Sequence, residues 1–145
     1  MTRIILKHFV PAALLASAMN LVGGLASATA DEAAEKIVIP ATSDGIWKAI
    51  DAKSAELKTT IDSSKLDNVH HEAFAIRDLV AALPSHSATL SPEKLDKVKT
   101  SAKFVATLAT RLDATGDAKD VAGTKQNYAK LTTVLTAIRA NYSAP

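Results

Sequence analysis

The sequence predicts an all-α fold, an antiparallel up-down-up-down four-helix bundle that follows a cleaved signal peptide. Three observations predict it. Beyond residue 43, apolar residues recur at alternating spacings of three and four in four successive segments. Prolines and serine or aspartate caps fall between those segments. No stretch shows the apolar-polar alternation of a half-buried strand.

Residues 1–30 read as an export signal. Met1 to His8 carries Arg3 and Lys7, Phe9 to Ala26 is almost wholly apolar or small, and Ala28-Thr29-Ala30 supplies a cleavage site before Asp31. A retained anchor fits less well, because Pro11, Asn20, Gly23 and Gly24 interrupt the run and no basic stop-transfer cluster follows it. Cleavage predicts a chain with no stable membrane insertion. It also removes Arg3, Lys7 and both methionines, Met1 and Met19. The 115 residues left of 145 then carry 15 basic and 15 acidic groups, and no sulfur. A net charge of zero argues against nucleic acid and anionic lipid as partners. Without cysteine there is no disulfide framework, thiolate metal site, cysteine nucleophile or covalent haem motif.

Residues 31–42 form a flexible lead-in whose Ile37-Val38-Ile39 run is placed to pack on the domain. The bundle spans 43–143. Its first helix, about 44–62, starts at a Ser43 or Asp44 cap and carries the stripe Trp47, Ile50, Ser54, Leu57, Ile61. Asp62-Ser63-Ser64 interrupts it. The second helix, about 65–83, follows with Leu66, Val69, Ala73, Ile76, Val80 and Leu83, and Pro84 stops it. Ser85 to Leu90 is then the longest internal loop. Ser91-Pro92-Glu93 opens the third helix, about 92–114, with a cap, a proline at the first position and an acid in the positive first turn. Its stripe is Leu95, Val98, Ala102, Val105, Ala109, Leu112, and Gly116 is expected to supply a left-handed stop. Asp117 is expected to cap the last helix, about 118–142, with the stripe Val121, Thr124 or Lys125, Tyr128, Leu131, Leu135, Ile138, Tyr142. Helices of similar length with short connections make a bundle, and this chain is long enough to fold without a metal or disulfide.

Chemistry-bearing residues are few. The chain has no Gly-x-Ser-x-Gly, no glycine-rich phosphate loop and no His-Glu-x-x-His, since His71-Glu72 lacks the second histidine. The paired Glu-x-x-His copies of a dinuclear carboxylate bundle are missing too. The chain is therefore read as a non-enzyme. Asp113, Asp117 and Asp120 make the third connection acidic, which suits the start of a helix rather than a calcium loop.

The candidate metal ligands are His70 with Asp67 or His71, because Asp67 lies one helical turn before both histidines. Imidazole and carboxylate together suit Cu(II), Ni(II) or Zn(II). His86 is excluded from that site, since sixteen helical residues separate it from His70 by about 20 Å at about 1.5 Å per residue. His70 is equally readable as a half-buried histidine satisfied by one hydrogen bond, with His71 turned towards solvent. A third reading is a carrier whose interior takes a small apolar ligand between Trp47, Phe74 and Tyr128.

Several runs resemble a known group. Leu66-Asp67-Asn68-Val69-His70, Ala75-Ile76-Arg77-Asp78-Leu79, Leu112-Asp113 with Gly116-Asp117, the terminal Leu131, Leu135, Ile138, Tyr142, and Trp47 resemble small secreted proteobacterial four-helix proteins associated with heavy-metal and copper efflux genes. The resemblance covers most of residues 46–142. It implies a periplasmic location and a metal-stress context, and no activity. The expectation is a non-catalytic periplasmic binding or interaction protein, accessory to metal-stress handling, whose partner is an envelope protein or a second copy of itself.

Overall fold

The computed structural model describes residues 37–142. The export signal expected at 1–30, residues 31–36 of the lead-in and residue 143 lie outside the described residues. Those described are all-α, with four α-helices, two 3-10 turns and no strand. None of these helices is long and apolar enough to cross a membrane.

α1 (Ser43–Asp62) begins one residue earlier than its cap signals suggest. Thr42 is the last residue with extended backbone, and its Oγ1 accepts from the Gly45 amide at 3.1 Å while its carbonyl accepts from Ile46 at 2.9 Å. Thr42 therefore holds the cap expected of Ser43 or Asp44. Before it, Ile37 and Ile39 pack on the core and Val38 faces solvent. At the other end Ser64 turns left-handed (φ 57°). That lets Lys65 N–H reach back to Thr60 at 3.0 Å and satisfy a carbonyl the helix leaves free.

The second helical segment is divided. A 3-10 turn (Leu66–Asn68) leads into α2 (Val69–Ala82), and another 3-10 turn (Leu83–His86) follows it. Pro84 ends the α-helical ladder as expected, but the chain stays helical in the tighter form, where the missing proline N–H costs less. The loop before α3 accordingly shrinks to Ser87–Ser91.

α3 (Pro92–Asp117) starts as read, with Ser91 accepting from the Lys94 amide at 3.4 Å. It does not stop at Gly116. The helix runs through that residue, and the left-handed position falls on Lys119 (φ 55°), with Asp120 N–H returning to Thr115 at 2.9 Å. Gly116 answers a different need, because a Cβ there would lie 3.0 Å from the Leu66 carbonyl oxygen and 3.2 Å from Val69 Cβ. The reversal consumes residues 118–120. α4 (Val121–Arg139) is therefore capped by Asp120 instead of Asp117, through Oδ1 and the Gly123 amide at 2.9 Å. Residues 140–142 close it as a turn.

The predicted stripes meet in one core. Ile50, Leu57 and Ile61 of α1 join Val69, Ala73, Ile76 and Val80 of α2, Val98, Val105, Ala109 and Leu112 of α3, and Leu131, Leu135 and Ile138 of α4. Each large apolar side chain withdrawn from water in this way contributes about 1.5–3 kcal/mol. Ile46, Leu79 and Leu108 are buried as well, although they lie outside the three-four stripes. Leu95, Ser54 and Tyr128 are only half-buried. Asn127 is buried because its amide donates to the Arg111 carbonyl at 3.3 Å, which pins α4 to α3. α2 packs closely on α1 and α3, and α3 packs closely on α4. α1 and α4 meet far more sparingly.

Candidate functional site

The predicted ligand residues are only partly assembled. His70 and His71 are both half-buried, and their ring centroids lie 3.7 Å apart at 42°. His71 therefore does not turn away to solvent. The two Cα–Cβ bonds diverge by about 100° around the helix, and the rings fold back towards each other. Asp67 is engaged elsewhere. It is exposed and ion-pairs with Lys119, whose hydrogen bond and charge hold its carboxyl below the ordinary carboxylate range. That pair ties the 3-10 turn before α2 to the left-handed turn after α3, beside the close approach at Gly116. Among the described residues no group of three or more His, Asp or Glu side chains is disposed to hold a metal ion.

The three aromatic residues expected to line a ligand cavity take different partners. Phe74 lies under the Arg77 guanidinium, 4.5 Å from its ring centroid, and Arg77 also donates from Nε to Asp78 at 2.7 Å. Tyr128 donates its phenol to the Ser54 carbonyl at 3.2 Å, and partial burial pushes that phenol above its ordinary pKa. Trp47 lines a cavity.

That cavity is a groove of about 420 Å³ along the α1–α4 seam. Trp47, Ile50, Asp51 and Ser54 come from α1, facing Thr132, Leu135, Thr136, Arg139 and Ala140. The spacing explains the wall. Residues 47, 50, 51 and 54 share one side of α1, as 132, 135, 136 and 139 do of α4, three or four apart along each helix. Ile50 and Leu135 belong to the core below and make the apolar floor.

The upper edge is polar. Arg139 Nη2 donates to Asp51 Oδ1 at 2.7 Å across the seam, and the Arg139 guanidinium lies 4.4 Å from the Trp47 ring centroid. Tyr142 meets the same indole edge-on at 5.6 Å and shares a 2.7 Å hydrogen bond with the Ser87 hydroxyl. Burial raises the Tyr142 phenol above its ordinary pKa, and the Ser87 hydrogen bond partly offsets the rise. Thr132 and Thr136 turn their hydroxyl protons into α4, to Ala129 and Thr132 carbonyls at 2.9 Å each.

Two polar atoms of groove-lining residues, Trp47 Nε1 and Ser54 Oγ, are closed off from the groove as well as from solvent and have no hydrogen-bond partner. Leaving a buried donor in that state costs about 1–3 kcal/mol. Such pairs are uncommon in native structures, and two residues of one wall share the deficit here.

Trp47 was evident in the sequence as a stripe residue. Asp51, Arg139 and the role of Ser54 were not, because their partnership crosses from α1 to α4 and a single-helix wheel shows only which side each residue occupies. One signal was present: Arg139 follows the stripe residue Leu135 by four, so it had to stand at the end of the buried stripe. Comparison with protein-family models, curated proteins and solved structures finds no match to this chain.

Proposed function

We propose that this chain is a non-catalytic binding protein of the bacterial cell envelope that holds a small, partly apolar ligand in the α1–α4 groove. One observation carries the reading. The sparsely packed α1–α4 seam contains a groove of ligand size with an apolar floor and a charged mouth. An occupant that fills the groove takes what apolar surface the floor still shows out of water. The placement differs from a ligand enclosed among Trp47, Phe74 and Tyr128, since the groove opens on the seam.

The wider reading includes export by the signal at 1–30, a periplasmic location and an up-down-up-down course of the four helices. The pairings Trp47–Tyr142, Asp51–Arg139 and Ser54–Tyr128 support that course, because they step forward along α1 as they step back along the chain from Tyr142 through α4. An accessory place in metal-stress handling rests on the family resemblance alone.

The test uses the purified chain and N-phenyl-1-naphthylamine, an uncharged apolar fluorophore. Its emission should rise on binding while the emission of Trp47, the only tryptophan, changes in parallel. Thr136→Arg, which places a long charged side chain over the groove from an exposed position of α4, should strongly weaken both signals and leave the helical circular dichroism in place. Probe binding that persists in Thr136→Arg with Trp47 unperturbed would place the binding surface elsewhere.

A further inference from the structure

We infer that the α1–α4 groove selects a small zwitterion with an apolar side chain, an amino acid or dipeptide, with Arg139 taking its carboxylate and Asp51 its ammonium group. The inference rests on the groove being a ligand site. Charge is the first argument. Among the described residues of the lining, Asp51 and Arg139 are the only ionisable carboxyl and basic groups, and they carry opposite signs. Their sum is zero, so a ligand with net charge of either sign gains from one and is opposed by the other. A ligand carrying both charges gains from both.

Geometry is the second argument. The two groups stand on opposite walls of the groove, Asp51 on α1 and Arg139 on α4, and both side chains are about half-exposed, at 60% and 46%. They are within reach of a ligand at the mouth. Their present partner is each other, through one hydrogen bond at 2.7 Å. An exposed pair of this kind is held weakly, so a ligand that supplies both opposite charges can replace it. Arg139 does not become free when the pair opens. The indole face of Trp47 stays beneath it at 4.4 Å and fixes the guanidinium plane, which suits paired recognition of a carboxylate.

The floor supplies the third argument. Ile50 and Leu135 lie directly below the charged mouth and offer an apolar surface to one side chain, and about 420 Å³ accommodates a molecule of one or two residues.

The experiment is isothermal titration of the purified chain with L-leucine, L-leucinamide and N-acetyl-L-leucine. The second compound lacks the carboxylate charge and the third lacks the ammonium charge. L-Leucine should bind at least 10-fold more tightly than either. In Arg139→Gln that advantage over leucinamide should vanish, and in Asp51→Asn the advantage over N-acetyl-leucine should vanish. Each variant should keep the helical circular dichroism of the parent chain. If the naphthylamine binds and L-leucine shows no preference over both blocked forms, the zwitterion assignment is overturned and the groove stands. If neither the fluorophore nor L-leucine binds, both readings fall.

Discussion

Two seams of this molecule solve the same problem in opposite ways. Where α3 crosses the Leu66–Val69 segment, a glycine brings backbone against backbone, and an added Cβ would stand 3.0 Å from a carbonyl oxygen. Where α1 faces α4, the helices stay apart and long side chains bridge the gap: Trp47, Arg139 and Asp51 at the mouth, Ile50 and Leu135 below. The first arrangement excludes everything. The second leaves about 420 Å³ and two unpartnered polar atoms. A protein that only had to be stable would close both seams, because buried polar atoms without partners cost free energy and small residues would let the helices approach. On the proposed reading, the α2–α3–α4 side carries stability and the α1–α4 side carries binding.

The same substitution on the two sides is the strongest way to break that contrast. Leu112→Ala, in the fully buried part of α3, should cost about 2–5 kcal/mol, the usual range for a closed core site. Leu135→Ala borders the groove, so its removal enlarges a space that already exists and should cost about 1–2 kcal/mol. Urea unfolding measures both. Equal losses would mean that the α1–α4 seam is as closed in solution as the other.

Next in size is Gly116→Ala. The new methyl meets the Leu66 carbonyl and Val69, so the turn before α2 must shift, and the loss should be about 1–3 kcal/mol. A helix-stop role would instead demand a left-handed φ, which Gly116 does not have. An unchanged or higher melting temperature in Gly116→Ala would show that the close approach is not needed.

A smaller effect should appear at high pH. Burial raises the phenols of Tyr128 and Tyr142, so the folded chain keeps those protons to a higher pH than the unfolded chain does. Their contribution is complete below the ordinary tyrosine value of about 10 and is lost as pH rises through the raised values. Stability should therefore fall with pH above about 10. In Tyr142→Phe the slope should be shallower, as urea midpoints between pH 8 and 11 would record. An unchanged slope would place the Tyr142 phenol in solvent.

The smallest stability effect belongs to the bridge itself. Arg139→Ala removes an exposed ion pair and a cation–π contact and should cost about 1 kcal/mol or less. Its larger consequence is access: acrylamide should quench Trp47 more efficiently in the variant. If quenching is unchanged, Arg139 does not cover the indole.

How far these seams could be foreseen depends on how local their causes are. The stripes and caps act within one helix, so the number of helices, most core residues and the Ser91-Pro92 start were legible. The boundaries failed where a neighbour decided them. Gly116 reads as a stop until Leu66 is seen against it, and Pro84 reads as a terminus until the chain continues in the 3-10 form. The site was less legible still. His70 and Asp67 are one turn apart, yet Asp67 is taken by Lys119, fifty-two residues away. Asp51 and Arg139 are eighty-eight residues apart, and nothing local announces their meeting.

The most direct measurement maps the binding surface. Backbone amide chemical shifts of the isotopically labelled chain, recorded with and without N-phenyl-1-naphthylamine, locate it residue by residue. The largest changes should fall on Trp47, Ile50, Asp51 and Ser54 of α1 and on Leu135, Thr136 and Arg139 of α4, with Val98, Val105 and Leu112 of α3 nearly still. Changes centred on α3 or on the His70–His71 pair, or no saturable change at all, would contradict the assignment of function to the α1–α4 groove.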